Sequence, residues 1–480
     1  MVKSKLVTIL KTFTLEELKR FDKFIASPYH NTGRNLKPLL KAVTKYHPNY
    51  PADKLTDEKI LKLMKISGKS NGKNTSSQLN VRFSELTKLA KNFAVIERSI
   101  NNSYIYSKTL AQFYLDKNLN NLCRSEISIC RKILYDDGLG EEYAPEMILL
   151  QRLNARSHYQ ENKREKSIKE IMHIPMYSLS YFVTNIKVQL YSNHIEYPVN
   201  YEFLKKTVDC LNIDELAELC TDDGSGLINK IKYDYKRCQF YLYENPEIYT
   251  ELIEYYKKNF ECLSDMIRWQ YFLGLMKSGT KLMSTQDYYS YAKQLNLLID
   301  FIFANGLFSF SRTEPLEDVL FTSIVKIKFA VENFDKLQKF ADNYLHKVKP
   351  EFRVRADNYV SAFLSFMKKD FNKSLEYINA ITSPTISEKN NLYKLKMAAY
   401  LELNYTEELY YLLDSYNHFM TNNTRFRNSE GQYRFSEIIK ILLVNKLNKT
   451  TISKIEKEKI FNSIKTSEFE WWLKEKTQEL

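Results

Sequence analysis

Apolar residues recur along most of this chain at intervals of three and four, the spacing that puts them on one face of an α-helix. The clearest stretch runs from 319 to 419. Tyr359, Ala362, Phe363, Phe366 and Met367 stand at offsets 0, 3, 4, 7 and 8. Leu392, Leu395, Ala399 and Tyr400 follow at 0, 3, 7 and 8, and the sets led by Leu337 and Leu409 have the same form. Polar turn phrases separate them: Glu332-Asn333-Phe334-Asp335-Lys336-Leu337, Lys369-Asp370-Phe371-Asn372-Lys373-Ser374-Leu375 and Leu403-Asn404-Tyr405-Thr406-Glu407-Glu408-Leu409. Their aromatics lie 37 and then 34 residues apart. Two helices per unit at a period near 34 predict helical hairpins that must stack, because one hairpin cannot bury its own apolar face. Ala362 and Ala399 would let paired helices approach closely, and the turn aromatic would plug the corner between them.

These phrases resemble the tetratricopeptide (TPR) repeat. Asp370-Phe371-Asn372-Lys373-Ser374-Leu375-Glu376-Tyr377-Ile378 is similar to that family's turn and second helix, with Ser374 at a small-residue position and Pro384 closing the unit. The family's Trp and Gly positions of the first helix are not filled in these copies; Trp269-Gln270-Tyr271-Phe272-Leu273-Gly274 comes nearer, with one residue too many. The resemblance covers about a fifth of the chain. It implies an α-solenoid with a concave face that holds peptides or proteins, and no catalysis. Ser27-Pro28-Tyr29-His30-Asn31 and Glu470-Trp471-Trp472-Leu473 resemble segments of helical-repeat proteins from Bacteroidota-type bacteria, and that likeness implies no function.

The rest of the chain fits the same all-α reading. Residues 1–106 read as a small basic helical domain, 107–221 as degenerate hairpins, 227–420 as TPR-like repeats and 432–480 as capping helices. Thr14-Leu15-Glu16-Glu17 is a capping box opening a helix that Ser27-Pro28 ends. Thr56 is placed to cap the next helix but one, Ser67 to Ser77 reads as a flexible basic loop, and a helix is expected from Gln78 to about Glu97. Further on, hairpins are expected over Tyr143–Asn162, Ser167–Asn193 and Tyr201–Cys220, and a break at Asp222-Asp223-Gly224-Ser225-Gly226. Terminal helices are expected over Tyr433–Lys446, Ser453–Ile464 and Glu468–Thr477.

Composition supports long helices joined by short loops. Gly and Pro number 11 each in 480 residues, about 2% apiece, which argues against phosphate-binding α/β folds and against turn-rich β folds. Charge adds a distinction. Residues 1–108 hold 21 Lys and Arg against 8 Asp and Glu, a net of +13, and the remainder is neutral overall. A basic module of short helices followed by a longer one could contact nucleic acid, with Lys65, Lys69, Lys73, Arg82, Lys88 and Lys91 as phosphate contacts. The other reading of that surface is a solvated face or a bait for an acidic protein. Six Cys without a Cys-x-x-Cys, no secretory signal and no apolar run of 18 residues place the chain in the cytoplasm, off the membrane, with thiols in the core.

Candidate chemistry is sparse. Ser67-Gly68-Lys69-Ser70 resembles the tail of a phosphate loop, but position 63 is Leu where the motif needs Gly. The seven His show no metal-ligand spacing, and no Gly-x-Ser-x-Gly elbow exists. No catalytic residue, metal or cofactor is therefore expected. The reading is a non-enzymatic protein-binding scaffold or adaptor, its groove lined by Asn358, Ser361, Lys394 and Lys396, which lie off the apolar stripes of the first helices. The alternative is a nucleic-acid-binding regulator with a basic N-terminal module and a ligand-sensing solenoid.

Overall fold

The computed structural model describes residues 2–64, 72–193, 200–221, 224–309, 314–423, 430–448, 460 and 467–479. The protein is all-α: no strand occurs among the described residues, and one isolated parallel bridge joins Leu316 to Val348. Two compact units form. The first comprises Met1–Ile133 with Arg152–Lys169, and the second Leu134–Gln151 with Glu170–Leu480. The charge step after residue 108 lies inside the first unit.

The first unit begins with α1 (Val2–Lys11), α2 (Leu15–Ala26), α3 (Lys37–Thr44), α4 (Asp57–Leu63) and α5 (Gly72–Asn101). Thr14 and Glu17 form the expected capping box, each side chain bonded to the other's backbone N–H at 3.2 and 2.7 Å. Thr56 stands at the N-cap of α4 without a side-chain bond to it. Helix α5 begins inside the expected Ser67–Ser77 loop and runs 30 residues. It supplies Leu79, Phe83, Leu86, Leu89, Ala90 and Phe93 to the core. Phe93 meets Phe13, Phe21 and Phe24 with ring centroids 5.2–5.5 Å apart. Helices α6 (Ser103–Asp116) and α7 (Asn120–Asp136) flank Asn118, whose φ of 59° makes the turn of the first degenerate hairpin. Cys123 and Cys130, two turns apart on α7, are both buried, the core thiols that their spacing suggests.

Helix α8 (Tyr143–Gln160) contributes to both units; α9 (Arg164–Ile171), α10 (Ile174–Asn193), α11 (Tyr201–Cys210) and α12 (Ile213–Glu218) follow. In the second unit, α13 (Leu227–Tyr243), α14 (Pro246–Asn259), α15 (Asp265–Thr285) and α16 (Tyr288–Ala304) lead to the repeat stretch. That stretch forms α17 (Asp318–Val331), α18 (Phe334–Tyr344), α19 (Pro350–Met367), α20 (Phe371–Ala380), α21 (Ile386–Leu403) and α22 (Thr406–Asn422). Helix α23 (Glu430–Asn448) and a C-terminal helix, Glu470–Glu479, complete the chain; the expected helix Ser453–Ile464 lies, but for Ile460, outside the described residues.

All three turn phrases are turns between paired helices. Asn333 and Asp370 cap α18 and α20 by accepting from Lys336 N at 3.0 Å and Lys373 N at 3.1 Å. Lys369 and Asn404 take left-handed φ values of 62° and 59°. Ser374 is fully buried and donates to the Ala362 carbonyl at 2.8 Å, so a small residue here joins α20 closely to α19. The turn aromatics are only partly buried: Phe371 meets Phe366 edge-on at 5.2 Å, whereas Tyr405 remains 40% exposed. Each first helix also packs against the next, α17 with α19 and α19 with α21.

Candidate partner-binding surface

The first helices of the repeats carry a run of apolar and charged side chains on one side. Phe329 and Lys326 stand on α17, Phe363 and Phe366 on α19, and Lys394 and Glu402 on α21. This face is covered by the chain's own C-terminal residues 467–479, which take up one of the expected groove residues, Lys394. Phe469 is fully buried, with ring centroids 5.1 Å from Phe329, 6.0 Å from Phe366 and 5.1 Å from Phe435 of α23. Trp472 packs on Phe366 at 6.0 Å and donates its indole N–H to Glu402 at 2.6 Å. Lys476 reaches the same carboxylate at 2.9 Å, and Lys369 meets Glu475 at 2.5 Å.

Glu468 anchors this segment. Lys394 Nζ donates to both of its carboxylate oxygens, at 3.1 and 3.2 Å, and Lys326 Nζ lies 3.8 Å away. Burial alone would raise the Glu468 carboxyl, but the two cations overcome it and hold it down to about 2. Burial pulls the Lys394 ammonium down even with Glu468 beside it. The direction that decides the site is that of Glu468, because two cations face one carboxylate.

The four residues singled out from the sequence do not share one surface. Lys394 is buried, 2% exposed, so it serves the chain's own C-terminal residues instead of an open groove. Its position off the apolar stripe of α21 is real, but α21 is covered on that side too. Lys396 is half-buried, with Nζ 3.2 Å from Asn379 Oδ1. Asn358 is half-buried and Ser361 lies one turn further along α19.

Ser361 does open on a recess. It has a volume of about 530 Å³ and lies between α18, α19 and α20. Ala341, Val360 and Leu364 give it an apolar floor. Asp342, Asp357 and Asp370 line it together with Arg353, Lys368 and Lys373. Some of these charges are already engaged. Arg353 Nη2 donates to the His346 and Val348 carbonyls at 2.9 and 3.1 Å, and Lys368 Nζ stands 4.3 Å from the Phe334 ring centre. Ser361 Oγ donates weakly to Asp357 at 3.4 Å. The wall is nearly balanced in charge, so it suits a mixed polar segment with an apolar anchor more than a highly charged one.

The basic candidates lie on or before α5. Lys65 and Lys69 fall outside the described residues, and of Lys73 only the backbone, in the first turn of α5, is described. Lys88 and Lys91 are exposed and one turn apart, and neither forms an ion pair among the described residues; Arg82 is half-buried and a third of a turn away around the helix.

Sequence reasoning missed a class of buried charges. Lys328 is 4% exposed, with Nζ 2.8 Å from Asn296 Oδ1 and 2.7 Å from Asp300. Buried Asp318 pairs with the half-buried Arg355. The available signal was the surrounding sequence: Asp318–Val331 is apolar nearly all round, which marks a helix covered on every side. Among the described residues no group of three or more His, Cys, Asp or Glu could hold a metal ion, and no helix is long and apolar enough to cross a membrane. No protein-family model matches the chain, and neither a curated protein nor a solved structure matches it significantly.

Proposed function

We propose that this chain is a non-enzymatic adaptor that holds a polypeptide segment of a partner protein in the recess between α18, α19 and α20. The observation that carries the reading is that recess, with its apolar floor and nearly balanced rim of charges around Ser361. Two further features support it. The turn phrases and Ser374 resemble those of a peptide-binding repeat family. The neighbouring first-helix face already holds a polypeptide, residues 467–479, by one paired carboxylate and a set of aromatic contacts.

The test is site-specific photo-crosslinking in cells. A photoreactive residue placed at Ser361 is expected to trap one discrete protein, and the same residue at Val354, 74% exposed on α19 and outside the recess, is expected not to. Identical products from both positions would overturn the assignment.

The second reading is a nucleic-acid-binding regulator, and the exposed Lys88 and Lys91, without an ion pair among the described residues, in a region of net charge +13 favour it. It requires binding of the full chain to duplex DNA or RNA that falls steeply with salt. Anisotropy titrations at two salt concentrations decide it: weak binding that vanishes at physiological salt leaves the adaptor reading, and retained tight binding replaces it.

A further inference from the structure

A cluster of charged side chains around Asp234, in the second unit, holds more cations than carboxylates. Helix α13 places Lys230, Asp234 and Arg237 at offsets 0, 4 and 7, along one side. Asp234 is buried. Lys230 Nζ donates to its Oδ2 at 2.7 Å and to Thr184 Oγ1 at 3.2 Å. Lys187 on α10 lies 3.4 Å from the same carboxylate and 3.5 Å from Glu141. Arg237 Nη1 is 3.9 Å from Asp234, and its Nη2 donates to the Tyr241 hydroxyl at 2.7 Å. A fourth cation, Lys277 on α15, stands 3.3 Å from the centre of the Tyr191 ring. Its Nζ is shielded from solvent and has no hydrogen-bond partner. Burial and the charge of Arg237 hold that ammonium down to about 8. Three cations thus face the buried Asp234, with Lys277 beside Arg237, against one further carboxylate, the exposed Glu141.

Such an excess is costly, since charges taken out of water need paired counter-charge. Stability alone would be served by apolar residues here. The cluster also borders open space. A recess of about 240 Å³ lies beside it, with Lys187, Arg237, Gln270 and the carboxylate Glu141 on its polar wall and Tyr191 and Leu273 on its apolar wall, so two cations face it against one carboxylate. Gly274 shapes it: a Cβ there would stand 2.5 Å from Arg237 Nη2, so only glycine lets the guanidinium lie across α15 at the recess.

We infer that this recess binds a small organic anion, a carboxylate or phosphate on an apolar body. The anionic group would sit between Lys187 and Arg237, within the field of Lys277, and the apolar body would rest on Tyr191 and Leu273. The planar fork of Arg237 suits the two oxygens of either group. The volume is below the roughly 300 Å³ at which drug-sized sites begin, which limits the ligand to a small molecule. This inference stands apart from the adaptor reading and shares no residue with its recess.

Calorimetric titration of the full chain with benzoate, phenyl phosphate and inorganic phosphate tests it, with benzylamine as the cation of matching shape. Benzoate or phenyl phosphate is expected to bind saturably and more tightly than inorganic phosphate, and benzylamine is expected not to bind. The preference between the first two assigns the anionic group. Lys277→Gln should weaken the preferred anion about threefold, since Lys277 acts through its field and does not line the recess. It should leave the melting temperature of the protein alone nearly unchanged, since the lost contact to the Tyr191 ring is offset by removing a desolvated ammonium without a hydrogen-bond partner; a merely structural lysine would lower it. Gln270→Glu, on the half-buried wall, should abolish binding without disturbing the fold. The inference is overturned if neither aromatic anion saturates up to about 10 mM, if benzylamine binds as well, or if both variants bind like the wild type.

Discussion

Glu468 illustrates what decides behaviour at the scale of single residues. It and Lys394 are each about 2% exposed, so removing either partner leaves a buried charge without compensation. Lys394→Ala is expected to cost about 3 kcal/mol or more in urea unfolding, and Lys394→Met with Glu468→Met to cost much less, because matched apolar partners need no pairing. The pH dependence follows from the same pair. The folded-state carboxyl is held down to about 2, below its ordinary value. Its stabilisation is therefore complete above the ordinary carboxylate range and is lost as pH falls toward 2. An acid titration of stability should show that loss in the wild type and a smaller one in the double Met variant. These pairings were not legible in the sequence. Lys394 lies off the apolar stripe of its helix, which normally means solvent. Only the folded arrangement brings a residue 74 positions away onto it.

At the scale of helices and turns, local chemistry carried most of the information. Asp370 and Ser374 state the cap and the close approach within five residues, and the structure places both in that role. Asp370→Ala is expected to cost about 1 kcal/mol as a lost N-cap. Ser374→Leu is expected to cost more, about 1–3 kcal/mol, because its site is fully buried against the Ala362 carbonyl and cannot take the added volume. Chemical denaturation of the two variants should keep that order. The expected hairpins were legible where a break interrupts the apolar periodicity. Tyr201–Cys220 is two helices, because Leu211 is extended and Asn212 starts a new helix by accepting from Glu215 N at 3.4 Å. Ser167–Asn193 is likewise divided between α9 and α10, whereas Tyr143–Asn162, also expected as a hairpin, is the single helix α8.

At the scale of the molecule, the all-α class was legible because helical periodicity persists through nearly the whole chain while Gly and Pro are rare. The candidate surface was legible only in part. Ser361 lines the open recess, but Lys394, expected to share its surface, is taken up by residues 467–479, which sequence spacing could only mark as terminal helix. The basic region keeps its exposed lysines, and they are the competing recognition surface. The measurement that separates the two is the affinity of the full-length chain for the protein trapped at Ser361. It compares wild type, Ser361→Arg, and Lys88→Glu with Lys91→Glu. The adaptor account predicts that Ser361→Arg weakens binding at least about tenfold with an unchanged melting temperature, and that the lysine variant binds like wild type. Loss of binding in the lysine variant, with full affinity in Ser361→Arg, would contradict it.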